Sequence, residues 1–172
     1  MHDFVRTNGV TRWLGRSVVL TAALTALLAF SAVFAQGPDG GELGASTYAQ
    51  CAACHQPTGF GIPSAFPPLV GHAPDLYAVE GGREYLAKLV LYGLMGQVTI
   101  EGASYNGVMP ANAHLDDASL AAALNYVLHA WGNGELLPEE FEPFTPEDIA
   151  AQRDLGLSPM NVYELRSSLD LD

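Results

Sequence analysis

Cysteine and positive charge are what this chain has least of. Its 172 residues include two cysteines, Cys51 and Cys54, so a scaffold stapled by several disulfides is excluded. Seven basic residues stand against nineteen acidic ones, a formal net charge of −12, which makes nucleic acid and anionic membrane surfaces poor partners. Beyond residue 35 only Arg83, Lys88, Arg153 and Arg166 are basic, against eighteen acidic side chains, ten of them within residues 135–172. Charge of either sign is missing from residues 43–74 and again from residues 102–115. Internal repeats and low-complexity tracts are absent too, which excludes solenoids and arrays.

The first residues carry an export signal. Arg6, Arg12 and Arg16 form a basic start, an uncharged apolar run comes next, and Val33-Phe34-Ala35 gives small residues before a cleavage point ahead of Gln36. Residues 1–35 are therefore expected to be a signal peptide. The alternative is an uncleaved anchor, since the uncharged run of 19 residues at 17–35 is close to the roughly 20 that a spanning helix needs. Either way the chain is expected outside the cytoplasm, in the periplasm. The chain beyond the leader is long enough for one domain.

Both cysteines fall in Cys51-Ala52-Ala53-Cys54-His55, the pattern of a c-type haem attachment site. Thiols three positions apart share one helical turn, so each can add to one vinyl group of the same porphyrin. The histidine directly after them is then placed to ligate iron. A redox CxxC of the thioredoxin kind would want a βαβ context and no adjoining histidine, and no such context is present. The export signal agrees with the motif, because haem c is attached after translocation. The expected cofactor is one covalent haem c, with Cys51 and Cys54 attaching it and His55 as a metal ligand.

Residues 41–53 read as a helix ending in this motif, with Gly44 and Tyr48 one turn apart on a face suited to close contact with a second helix. Residues 56–74 read as loop, rich in Gly and Pro. A proline carbonyl from Pro67-Pro68 could accept the proton of the His55 nitrogen that faces away from iron, fixing its tautomer. Residues 82–94 read as helix with Gly93 and Gly96 as stops. Residues 97–100 and 104–108 could pair as a hairpin around Glu101-Gly102-Ala103. Asp116 or Asp117 caps a helix running to Trp131, with Leu120, Leu124, Val127 and Leu128 on its buried face. Two short helices complete the chain, signalled by the capping box Thr145-Pro146-Glu147-Asp148 and by Ser158-Pro159.

A second iron ligand would close the haem to chemistry. Met109 is the best candidate: it lies in an uncharged segment, between Val108 and Pro110, with Gly107 allowing close approach. A thioether stabilises reduced iron and raises the potential. Met95 reads as packing, and Met160 lies far down the acidic tail. His72 and His114 are the bis-histidine alternatives, and His129 is expected to face solvent.

These features together resemble class I cytochromes c: a helix leading into CxxCH, a proline-rich loop, and Gly-x-Met-Pro before a C-terminal helix. Tyr48 to Gln56, Gly61-Ile62-Pro63, Ala65 to Leu69, Glu80 to Leu86, Leu91 to Leu94, Tyr105 to Met109 and Ala130-Trp131-Gly132 are similar to the soluble cytochromes c of Thermus-type bacteria. Pro143-Phe144-Thr145 and Leu157-Ser158-Pro159 resemble their C-terminal extension. The resemblance implies an all-α class I cytochrome c fold around one haem, with a small β-hairpin and a helical extension. It also implies a haem domain at 36–133 and an extension at 134–172 that wraps it, which in this chain is acidic. Carried over by motif, Cys51 and Cys54 attach haem, His55 and Met109 ligate iron, and the Pro67 carbonyl supports His55. The implied function is a monomeric, non-enzymatic one-electron carrier. It would be supplied by a quinol-oxidising complex or dehydrogenase and would feed a ba-type terminal haem–copper oxidase. Two features depart from the Thermus-type pattern: Pro110 follows the methionine, as in cytochromes c generally but not in the Thermus-type relative, and the tail is acidic where that relative's is lysine-rich. The competing expectations are a cytochrome subunit held in a periplasmic dehydrogenase complex, and a ligand-binding or peroxidase-like haem protein with an open iron.

Overall fold

The computed structural model describes residues 37–171; the segment 1–35, expected to be signal peptide or anchor, lies outside them. Among the described residues are six α-helices and two small two-stranded sheets. The elements are those expected of an all-α fold with a small β-hairpin and a helical C-terminal extension.

Helix α1 (Gly41–His55) crosses α4 (Asp117–His129), and the two make the tightest helix pair in the molecule. Gly44 is what permits it: a Cβ there would run into the Ala122 carbonyl and the Tyr126 side chain. Tyr48, one turn on, packs its ring 5.4 Å from Tyr126 and 5.1 Å from Trp131. Helix α1 runs two residues beyond the expected end at residue 53, so the whole CAACH motif is helical.

Helix α2 (His72–Ala78) occupies a stretch in which the loop was expected to reach Pro74. Pro74 is the third helical residue, where the backbone N–H has no partner within the helix and a proline loses nothing. Helix α3 (Gly82–Tyr92) stops earlier than residue 94, because Gly93 takes φ 73° and its N–H closes back on Leu89. Leu94 instead begins a β-ribbon. Strand β1 (Leu94–Met95) pairs antiparallel with β4 (Val108–Met109), and β2 (Val98–Ile100) with β3 (Ala103–Tyr105). The turn is the pair Glu101-Gly102, at φ 50° and 78°, rather than a three-residue tip. Two left-handed residues give the twist that two-residue hairpins require.

Asp116 caps α4 by accepting the Ser119 N–H at 2.7 Å. The helix ends at His129, before the expected Trp131. Trp131 has φ 57°, a left-handed conformation rare for a bulky residue. It is held there by its indole N–H, which donates to Pro57 at 3.1 Å, and by the two tyrosine rings. Trp131 and Gly132 (φ 90°) kink the 3₁₀ stretch Ala130–Leu136 in which they lie, and its Asn133, fully buried, ties Gly71, Leu69 and Val127 together.

Helices α5 (Pro146–Arg153) and α6 (Pro159–Arg166) both start on capping boxes, Thr145 with Asp148 and Ser158 with Asn161. Each contributes a fully buried side chain, Ile149 and Val162. Helix α5 packs on α3 and α4, and α6 packs on α3 and β1. Buried Asn125 of α4 clasps Phe144 through both its backbone N–H and its carbonyl, at 2.7 and 2.9 Å.

Candidate functional site

The last turn of α1 puts Cys51, Cys54 and His55 on the wall of one cleft of about 1400 Å³, counted out to its open mouth. Both thiols are free and half-buried. Burial pushes the Cys51 thiol up, with Cys54 beside it adding to the rise. His55 is buried, and its Nδ1 lies 2.9 Å from the Pro67 carbonyl. Desolvation lowers its pKa, with the Pro67 carbonyl opposing, so the ring is neutral and Nδ1–H donates to Pro67. That leaves Nε2 as the nitrogen with a lone pair for a metal. The loop after the motif is shaped by Gly61 (φ 63°), where a Cβ would collide with the Phe66 and Pro67 carbonyls. A side chain there would push Pro67 off His55.

The β-ribbon brings Met109 to the same cleft. Of the described methionines and histidines only His55, His72 and Met109 line it. Met95, expected to pack, is 43% exposed on β1, where its neighbour Leu94 takes the inward position. Met160 is exposed and lines no part of the cleft. His114 is exposed on the loop before α4. His129, expected to face solvent, is half-buried, with Nδ1–H donating to Asn125 at 2.9 Å and its ring edge-on to Phe141.

The cleft is walled by apolar side chains from every element around it, among them Leu69, Leu76, Leu86, Leu94, Ile100 and Leu128. Against this wall three polar groups meet. Tyr85 is 2% exposed, yet its hydroxyl has no hydrogen-bond partner. Arg166 lies beside it, opposing the rise that burial imposes on the phenol. The Arg166 guanidinium donates to His72 Nε2 at 3.1 Å. His72 is pushed down to about 4, by burial first and Arg166 second, so it is neutral at pH 7.

This donor set suits a haem. The apolar wall matches the porphyrin face, two thiols match two vinyl groups, and a neutral imidazole matches iron. The orphaned Tyr85 hydroxyl and the Arg166 guanidinium match a propionate carboxylate. The sequence reading missed Tyr85 and Arg166. The only signal was scarcity, since an arginine in a strongly acidic segment needs a reason to be there.

The cytochrome c family model matches residues 41–131. Cytochrome c-552 of Thermus thermophilus is 49% identical over 128 residues, covering 74% of this chain and 97% of that relative. A second cytochrome c-552 of the same species is likewise 49% identical over 128 residues, covering 86% of its own length. The cytochrome c subunit of a quinone alcohol dehydrogenase from Gluconobacter oxydans is 31% identical over 94 residues, 54% of this chain and 19% of that protein.

Proposed function

The chain belongs to the cytochrome c family and carries one covalently attached haem c, and from that premise we propose a periplasmic electron carrier that delivers electrons to a terminal haem–copper oxidase. As a monohaem cytochrome c it passes single electrons and makes or breaks no substrate bond. The observation that carries the reading is the convergence of Cys51, Cys54, His55 and Met109 on one apolar cleft.

Bound haem supplies an iron that gains and loses one electron. Cys51 and Cys54 would tie the macrocycle to α1, each thiol adding across a vinyl group with sulfur on one carbon and hydrogen on the other. His55 offers Nε2 to iron while its Nδ1–H donates to Pro67, which fixes the ring and strengthens the ligand. Met109 offers its thioether as the second ligand, favouring reduced iron. Tyr85 and Arg166 would receive a propionate. The apolar wall keeps water out, so little solvent has to reorient as the charge changes.

The periplasmic location rests on the export signal at 1–35. An extension at 134–172 wrapped on a haem domain at 36–133 is supported by burial of Phe144, Ile149 and Val162. The donor is a quinol-oxidising complex or a dehydrogenase, and the carrier works as a monomer. The second reading, a cytochrome subunit of a periplasmic dehydrogenase complex, is favoured by the likeness to the Gluconobacter subunit. Copurification with a dehydrogenase at constant stoichiometry would establish that reading, and a free monomer would oppose it.

The test of the closed His/Met iron is the absorption spectrum of the matured holoprotein. The oxidised protein should show the weak near-infrared iron–methionine sulfur band, and Met109→Ala should abolish it and lower the midpoint potential. Rapid carbon monoxide binding by the reduced wild type would mean an open iron, and the carrier reading would fall.

A further inference from the structure

Arg153, the last residue of α5, spends its guanidinium on a segment of another element. It pairs with Asp117 at 2.7 Å and donates to the carbonyls of Ala113 at 2.8 Å and Leu115 at 2.9 Å. All three acceptors lie between Met109 and the body of α4. That helix does not need the arginine for its start, because Asp116 already caps it. In hydrogen bonds to other elements the segment it grips is otherwise fastened only near its beginning, while Leu115 packs against the core. Asn112 donates from its backbone and side chain to Val90 at 3.1 and 3.2 Å, and β4 pairs with just two residues of β1. The half beyond Asn112 returns to the helix on the Leu115 N–H to Asn112 bond and on Arg153.

His114 sits between the two carbonyls that Arg153 holds, exposed and off the wall of the cleft. It is the histidine closest in sequence to Met109. An imidazole nitrogen binds oxidised iron more firmly than a thioether, which favours the reduced form. A loop free to move would therefore tend to exchange one ligand for the other, the iron–sulfur bond breaking as an iron–nitrogen bond to His114 forms.

We propose that Arg153 is a positioning residue for the second iron ligand: by holding the loop from Pro110 to Asp116 against α5, it keeps Met109 on the iron and His114 away from it. The proposal rests on the reading of Met109 as ligand. It gives the C-terminal segment a part in the redox site, through a contact that spans 38 to 40 residues of sequence. The guanidinium fork suits the task, since it holds its donors in a rigid plane aimed at separate acceptors, whereas the three donors of a lysine crowd on one nitrogen at the end of a flexible stem.

The experiment compares full-length oxidised holoproteins of wild type, Arg153→Gln, Arg153→Lys, Arg83→Gln and the double variant Arg153→Gln/His114→Ala. Four quantities are read: the near-infrared iron–sulfur band, the midpoint potential, the melting temperature, and the affinity for added imidazole, which competes with Met109. Arg83 serves as the control because it fastens α5 at its other end, to Asp148 and Pro143. Arg153→Gln should weaken the band, lower the midpoint potential and raise imidazole affinity about tenfold or more, the worth of one charge-assisted bond. Arg153→Lys, the milder change should glutamine not mature, should fall between. The double variant should regain the band, and Arg83→Gln should lower the melting temperature with the band intact. An unchanged band and imidazole affinity in Arg153→Gln would overturn the proposal, and equal losses in Arg83→Gln would do so as well, since any loosening of the tail would then suffice. A wild type without the band would overturn the Met109 reading itself.

Discussion

Asp148 shows how one side chain can serve several elements. Burial alone would raise its carboxyl, but the Thr145 backbone N–H and hydroxyl, with the Arg83 guanidinium, outweigh that and hold it below the usual carboxylate value of 3.8. Ionised Asp148 therefore stabilises the folded chain above that value, and the contribution is lost as pH falls through the lower folded value. Asp148→Asn should lower stability by about 1 kcal/mol at pH 7, the usual worth of a helix cap, and flatten the acid limb of a plot of melting temperature against pH. An equally steep acid limb in the variant would mean that other carboxylates set it. At the same scale His55 was legible because its chemistry is local: the motif supplies thiols and imidazole within one turn. Tyr85 was not legible, because a lone tyrosine on a helix face gives no sign that its hydroxyl ends without a partner in a cleft.

Helices could be read from their periods and caps, but their ends were decided by contacts that no local pattern contains. Asp116, Thr145 and Ser158 are capping residues whose partners lie three positions on, and each was legible for that reason. Trp131 looked like the last residue of a helical stripe, and its spacing was right. Its indole instead bonds Pro57, which lies 74 residues away, and the backbone turns left-handed to allow it. Likewise Pro74 reads as a helix breaker until its place in a first turn is known. The α1–α4 crossing gives a prediction at this scale. Gly44→Val should destabilise the protein by about 1–3 kcal/mol or more by overpacking, because the Cβ meets the Ala122 backbone, which cannot rotate away. Thermal unfolding would check it, and an unchanged melting temperature would mean that the crossing can widen freely.

Among the described residues three of the four Lys and Arg side chains are used for closure. Arg83 holds Glu142, Pro143 and Asp148, Arg153 holds Asp117 and the loop after Met109, and Arg166 reaches His72. The surface left over is acidic except around the two uncharged segments, where Phe60 is 64% and Val108 60% exposed. A docking face built from these segments would be apolar, with charge steering only weakly beyond a Debye length of about 10 Å at 0.1 M salt. Electron transfer to the proposed oxidase should therefore change little as salt rises. A steep fall, measured by stopped-flow oxidation at increasing ionic strength, would point to a basic partner gripping the acids. By itself the sequence determined the covalent haem, the family and the helical class, because thiol spacing, cap residues and hydrophobic period act within a few residues of themselves. Only the tertiary structure decided where α3 and α4 stop, which polar groups meet at the cleft, and how the acidic tail reaches the loop of Met109. Those depend on pairs such as Arg166 and His72, 94 residues apart, and a contact of that span leaves no period in the chain to be read.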